Sequence, residues 1–286
     1  MKYGMSWMKR WKGVLSSMIA PLTTLHKQYI ERMRRKSLLV LLTQGVLLVA
    51  FIALWEWSSR ARIVDPLIFS SPSKIANHLY TTLLDGSIMP HIGITVAETI
   101  AGFLLGTLLG TLIAALLWWF PFVARVFDPF LVVLNSMPKV ALGPLLIVGL
   151  GPGFGSIVAI TLLVTVIITT INIYNRFRET EEGLLKVATI FGATRFQTFY
   201  YVILPAAFPV IISTLKVNVG LAWIGVIVGE FLVARVGLGY LIIYGFQVFN
   251  FTLVLSTLVV IAFVATFMYQ AVSFLERKVT SGWKDR

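Results

Sequence analysis

Runs without a charged residue dominate the chain: Ser37 to Trp55, Thr99 to Ala124, Val140 to Asn175, Phe196 to Leu215 and Val236 to Leu275. A helix crosses a bilayer with roughly 20 apolar residues, so two of these runs are too long for a single crossing. The sequence GLGPGFG, Gly149 to Gly155, is a turn signal that divides the run after Lys139 into two. With the spans that carry Lys139 and Lys216 included, the pattern predicts six crossings: Ser37–Trp57, Gly93–Trp118, Pro129–Val148, Ser156–Tyr174, Ala206–Gly229 and Phe251–Leu275. Residues 1–36 then form a basic N-terminal segment, 37–57 the first span, 58–92 an external segment, 93–275 a five-helix core and 276–286 a tail. In the external segment, Ser71 or Ser73 suits the N-cap of a short helix running to about Leu84.

Composition changes this picture little. Apolar residues make up 58% of the chain, charged residues 13%, and the mean hydropathy is +0.88, which describes an integral membrane protein rather than a soluble domain. The first apolar run is longer than the h-region of a cleaved signal peptide, so it is expected to stay as a span.

Charge is more informative. The net charge of +12 does not point to nucleic acid, because the basic residues flank spans and form no patch interleaved with aromatics. Nine Lys and Arg precede the first span, one (Arg125) follows the second, four lie between the fourth and fifth, and four follow the last. The opposite side holds only Arg60, Arg62, Lys74 and Arg235. The positive-inside rule therefore predicts that both termini and the segment between spans four and five are cytoplasmic. Within the N-terminal segment, Trp7, Trp11, Val14, Met18 and Leu22 share one helical face with Lys9, Arg10 and Lys12 off it. That pattern fits an interfacial amphipathic helix on anionic lipid, or else a basic tail with little order.

Several chemistries drop out. Cysteine is absent, which removes disulfides, thiolate metal sites and cysteine nucleophiles. The three histidines, His26, His78 and His91, have no metal-ligand spacing and read as surface or interfacial residues. No GxxxxGK[ST] loop occurs, so if ATP drives this protein another subunit hydrolyses it; no cofactor is expected in this chain, with ATP and Mg bound by that partner.

One cytoplasmic stretch stands apart: KVATIFGATRFQTFYYVILP, Lys186 to Pro205, a basic loop between two apolar segments. Gly192 permits a positive φ that separates a helix ending near Phe191 from a second, opened by Ala193 or Thr194. Phe196, Phe199, Tyr200 and Ile203 recur on one helical face, and Pro205 is tolerated in a first turn, where the next span begins. Ala188, Gly192, Val202, Leu204 and Pro205 resemble the EAA loop of ABC importer permeases, in which Glu-Ala-Ala, three residues, Gly, nine residues, an aliphatic residue, any residue and Leu-Pro follow one another. Lys186 stands where that pattern has Glu, and Val187 where it has the first Ala.

FSSPSKIANHLY, SMPKVALGPLLIVGLG, LKVNVGLAWIGVIVGEF and GLGYLI extend the resemblance over most of residues 66 to 278. They are similar to permeases of the nitrate, sulfonate and taurine group, which also includes permeases for bicarbonate and for thiamine-precursor or flavin-type heterocycles. The resemblance implies an all-α membrane protein with six transmembrane helices and type I ABC importer architecture. It also implies a homodimer in the inner or cytoplasmic membrane of a bacterium, served by two ABC ATPase subunits and an extracytoplasmic substrate-binding protein, and not itself an enzyme. Glu182, Lys186, Ala188, Gly192, Ala193, Phe196, Leu204 and Pro205 are then expected to couple ATP hydrolysis to the spans through the 175–205 loop. The cargo is expected to be a small anion such as nitrate, sulfonate, taurine or bicarbonate, or else one of those heterocycles.

Ionisable residues inside spans are commonly functional. Lys139 follows Pro138 inside the third span, with Gly143 and Pro144 after it, so that helix is expected to bend or unwind and its freed carbonyls to need protein or water partners. Pro138, Lys139, Lys216 and Asn218 are the candidate pathway residues, since the resemblance brings these two spans to a central route. Lys139 and Lys216 supply either a positive field for an anion or a brace within the bundle. Glu56, Glu98 and Glu230 fall near outer ends of spans and read as interfacial or binding-protein contacts, which argues against a proton-coupled secondary transporter. A membrane-bound enzyme would want clustered His, Asp or Glu at one interface, and the sequence has no such cluster. Gly102, Gly106, Gly110 and Ala114 repeat every four residues and suit close helix packing, while Trp118, Trp119 and Phe120 suit an aromatic belt.

Overall fold

The long apolar stretches become helices, and in the computed structural model the described residues hold no strand. The structure describes the backbone of residues 4–284 and the side chains of residues 29, 32, 33 and 35–279. The amphipathic pattern of Trp7 to Leu22 therefore lies outside the described side chains. Two compact units divide at Val64 and Asp65. The first is one helix, α1 (Gly4–Arg60), near whose end Arg60 Nε donates to Glu56 at 2.6 Å.

The second unit begins with α2 (Pro72–Leu84), capped by Ser71, whose hydroxyl accepts from the Lys74 N–H at 3.3 Å. Ser87, just beyond, hydrogen-bonds the exposed Asp85 carboxyl and holds it below its usual pKa. There follow α3 (Met89–Trp119), α4 (Pro121–Ser136), α5 (Gly143–Leu150), α6 (Phe154–Arg178), α7 (Glu182–Ile190), α8 (Arg195–Thr198), α9 (Leu204–Val233), α10 (Leu238–Gln247) and α11 (Phe251–Lys284). Among the described residues five segments are long and apolar enough to cross a membrane, and the pair α4 and α5 makes a sixth only as a broken span.

The break falls at Pro138, where the third span was expected to bend, but the start of that span, expected at Pro129, is corrected. The crossing starts at Pro121, at the first turn of α4, and bends by 92° between Ser136 and Lys139. Pro138 is the cause: a residue before proline is driven out of the helical region, and Met137 is extended at φ −73°, ψ 141°. A single 3₁₀ turn, Lys139–Leu142, then leads into α5. The GLGPGFG turn stands as expected, with φ +79° at Gly151 and +140° at Gly153. The last long run holds α10 ahead of the span α11, a helix the six-span pattern did not contain.

The core of the second unit is where α3, α6 and α9 meet. Gly102, Gly106 and Gly110 of α3 face Thr161, Thr165 and Thr169 of α6 so closely that a Cβ on any of them would collide with a threonine side chain. On its other side Thr161 faces Gly225 of α9, where an added Cβ would lie 2.7 Å from the Thr161 Cα. Small residues on two helices thus admit one row of threonines, whose hydroxyls turn back to their own helix, Thr161 donating to Ile157 O at 2.9 Å and Thr165 to Thr161 O at 3.0 Å. The glycine row thus serves the protomer's own core.

Candidate functional site

The Lys186–Pro205 loop folds as its residues dictate. Glu182 and Lys186 form an exposed pair at 3.3 Å one turn apart on α7. Ala188 is the buried residue of that helix. Gly192 takes φ +70°, the conformation that ends α7 at little steric cost. Ala193 follows, its N–H donating to Ala188 O at 3.0 Å. Thr194 then caps α8 in a reciprocal box with Gln197: the Gln197 N–H donates to the Thr194 hydroxyl at 3.3 Å, and the Thr194 N–H to Gln197 Oε1 at 2.8 Å. A π-helical turn, Phe199–Ile203, joins α8 to α9, with Leu204 and Pro205 in the first turn of that span.

Aromatic packing fixes the loop to the end of α3. The Phe199 ring lies 5.0 Å from Trp118, 6.1 Å from Trp119 and 5.5 Å from Phe177 between ring centroids. Arg195 sits over both tryptophans, at 5.3 Å and 5.6 Å, and donates to the Trp118 carbonyl at 3.2 Å. Trp118 and Trp119, read from sequence as a belt, thus anchor the loop. The expected single buried face of α8 splits: Phe199 and Ile203 pack inward, whereas Phe196 and Tyr200 stack on one another and stay exposed.

At its tip the loop presents apolar side chains. Ile190 and Phe191, the last residue of α7 and its C-cap just before Gly192, are 82% and 84% exposed. Sequence reasoning missed both, although two consecutive large apolar residues in a loop assigned to the aqueous side are a signal of a contact surface.

The pathway candidates separate. Pro138 is exposed at the break, and Lys139 donates from Nζ to the Asn135 carbonyl at 2.8 Å, satisfying an acceptor freed at the end of α4. Lys216 pairs with Glu276 of α11 at 3.3 Å and lies 5.4 Å from the Tyr269 ring centroid. It lines a cavity of about 480 Å³ together with Arg176, Glu179, Thr214, Tyr269 and Glu276. Asn218 is different from the other three. It is 0% exposed, and its side-chain amide donates to Thr107 and Thr169 at 2.7 Å each, tying α3, α6 and α9 together, so it belongs to the bundle core and not to a cavity wall.

Two glutamates also depart from expectation. Glu98 and Glu230, read as interfacial, are 2% and 1% exposed and lie against each other. Glu230 accepts from the Thr95 hydroxyl at 2.6 Å and from the Gly239 N–H at 2.5 Å, which clamps the turn between α9 and α10 onto α3. His91 joins the same clamp: its Nδ1 accepts from the Gly237 N–H at 3.0 Å and its ring stacks on Tyr240 at 6.1 Å. The signal was available as Gly237 and Gly239, which leave room for the Glu230 carboxyl where a Cβ would collide with it.

Known proteins are similar to this chain in sequence and in fold. The family described as binding-protein-dependent transport system inner membrane component matches residues 88–281. The riboflavin transport system permease protein RibX of Chloroflexus aurantiacus is 31% identical over 232 residues, 81% of this chain and 87% of its own. A putative aliphatic sulfonates transport permease, SsuC of Bacillus subtilis, is 29% identical over 243 residues, 85% of this chain and 88% of its own. Among solved structures, a bacterial ABC transporter involved in import of the acidic polysaccharide alginate aligns with a TM-score of 0.61 at 15% identity, covering 84% of this chain and 96% of that one, a likeness of fold alone. With the six-span pattern, the broken third span and the capped loop before α9 already in place, the match over residues 88–281 means that this chain belongs to the family of binding-protein-dependent transport system inner membrane components, the permease subunits of ABC importers.

Proposed function

We propose that this permease works as a homodimer that passes a small solute from an extracytoplasmic binding protein across the membrane, driven by two ATPase subunits docked on the α7–α8 loop. The observation that carries the reading is the loop itself: an apolar tip, Ile190 and Phe191, held out from a base that Arg195, Phe199 and the two tryptophans brace against α3. A rigid link with an exposed apolar end suits transmission of ATPase closure to α3 and α9. Both termini lie in the cytoplasm on this reading, because eighteen of the basic residues fall on the loop's side and four on the other.

The cargo follows less from charge than the sequence suggested. Lys216 is matched by Glu276, and Arg176 and Glu179 line the same cavity, so two cations face two anions there. Lys139 spends its ammonium on a backbone carbonyl. A balanced wall favours a neutral or zwitterionic solute, in keeping with the riboflavin named for one relative, over a simple anion; the sulfonates named for the other remain the second reading. Purification through a tag on this chain tests the assembly. An ATPase should copurify, with hydrolysis stimulated by the loaded binding protein, and a chain that purifies alone with full uptake activity would contradict the reading.

A further inference from the structure

Between α3, the start of α6 and the turn after α9 lies a second cavity, of about 640 Å³, to which nothing above gives a task. Ile94, Phe154, Ile157 and Val236 supply an apolar wall, Arg235 also lines it, and Glu98 is its acidic residue. Both oxygens of the neighbouring Glu230 are engaged, by Thr95 and Gly239. Glu98 Oε2 is not: it is buried beside the Glu230 carboxyl, and no N–H or hydroxyl group donates to it.

A buried carboxyl oxygen without a donor is costly, and two buried carboxyl groups in contact repel when both are charged. A positively charged N–H donor entering the cavity relieves both deficits. We propose that this cavity is a binding site for a small organic cation, with an ammonium or amidinium group on Glu98 Oε2 and an apolar body against Ile94, Phe154, Ile157 and Val236. The exposed guanidinium of Arg235 on the same cavity disfavours a bare metal cation and favours a ligand whose body keeps its charge at the Glu98 end. The site depends on no part of the coupling scheme, and its test requires no ATP hydrolysis.

Benzylammonium is a suitable probe and benzyl alcohol its uncharged counterpart. Calorimetric titration of the permease in nanodiscs should give saturable binding of benzylammonium, one per chain, and at least about tenfold weaker binding of the alcohol, the loss expected of a charged hydrogen bond. Glu98→Gln should weaken benzylammonium by at least about tenfold as well. Val236→Trp, which narrows the cavity and leaves both glutamates in place, should weaken it similarly and decides the matter alone if Glu98→Gln does not fold. No binding to the unaltered chain, equal binding of the alcohol, or wild-type affinity in either folded variant overturns the assignment.

Discussion

Gly192→Val is expected to abolish ATP-coupled uptake while leaving the spans folded and inserted. The two halves of that expectation have separate causes. A Cβ at Gly192 would meet nothing within 4 Å, so the substitution creates no clash with the bundle. It does force a β-branched residue to φ +70°, a conformation that costs such a side chain roughly 1–3 kcal/mol. The loop escapes that strain by moving, and what moves is its tip, Ile190 and Phe191, directly beside the glycine. Hydrolysis stimulated by the binding protein in proteoliposomes, together with the thermal midpoint of the same sample, checks both halves. Full coupled uptake by the variant would contradict a docking role for the loop.

Gly110→Ala should do the opposite, damaging the fold rather than the coupling. Its Cβ would lie 2.5 Å from the Thr169 Cβ and 3.0 Å from the Val166 carbonyl oxygen. Backbone of a packed helix cannot step aside as a flexible side chain can, and overpacking of this kind costs about 1–3 kcal/mol or more. The same helix supplies the control. Gly93 also lies in α3, and a Cβ there meets nothing within 4 Å, so Gly93→Ala should stabilise by about 0.5–1 kcal/mol through helix propensity. Opposite shifts in thermal midpoint from the same chemical change, seventeen residues apart, are the result to look for; shifts of equal sign would mean that α3 and α6 are not in the close contact described.

These cases show which features a sequence discloses. Glycines at four-residue intervals on α3 announced close approach, because only the lack of a side chain permits it, but the partner surface of Thr161, Thr165 and Thr169 sits on a helix whose register no local pattern reports. The break in the third span was legible because Pro138 acts on its immediate neighbour, while its 92° sharpness depends on how α4 and α5 pack. The loop's punctuation was local too: Gly192, Thr194 with Gln197, and Pro205 each act within a few residues. Its anchoring was not, since Arg195 meets Trp118 from 77 residues away. Glu98 and Glu230 were misplaced because nearness to a span's end in sequence says nothing of burial, which for Glu230 comes from the turn into α10 folding back over it. Asn218 and Lys216, two residues apart on α9, go to opposite fates because about 200° of helix rotation separates them.

On the proposed reading, an ATPase subunit grips this chain on the cytoplasmic side at the tip that carries Phe191. Because the native chain has no cysteine, a single cysteine at Phe191 is an unambiguous probe, and one at the exposed Ser87 is its counterpart. In intact cells an impermeant thiol reagent should label the Ser87→Cys variant and spare the Phe191→Cys variant, while a bifunctional thiol crosslinker applied to membranes should join Phe191→Cys to the ATPase subunit. Labelling of Phe191→Cys from outside, with no crosslinked product, would contradict it.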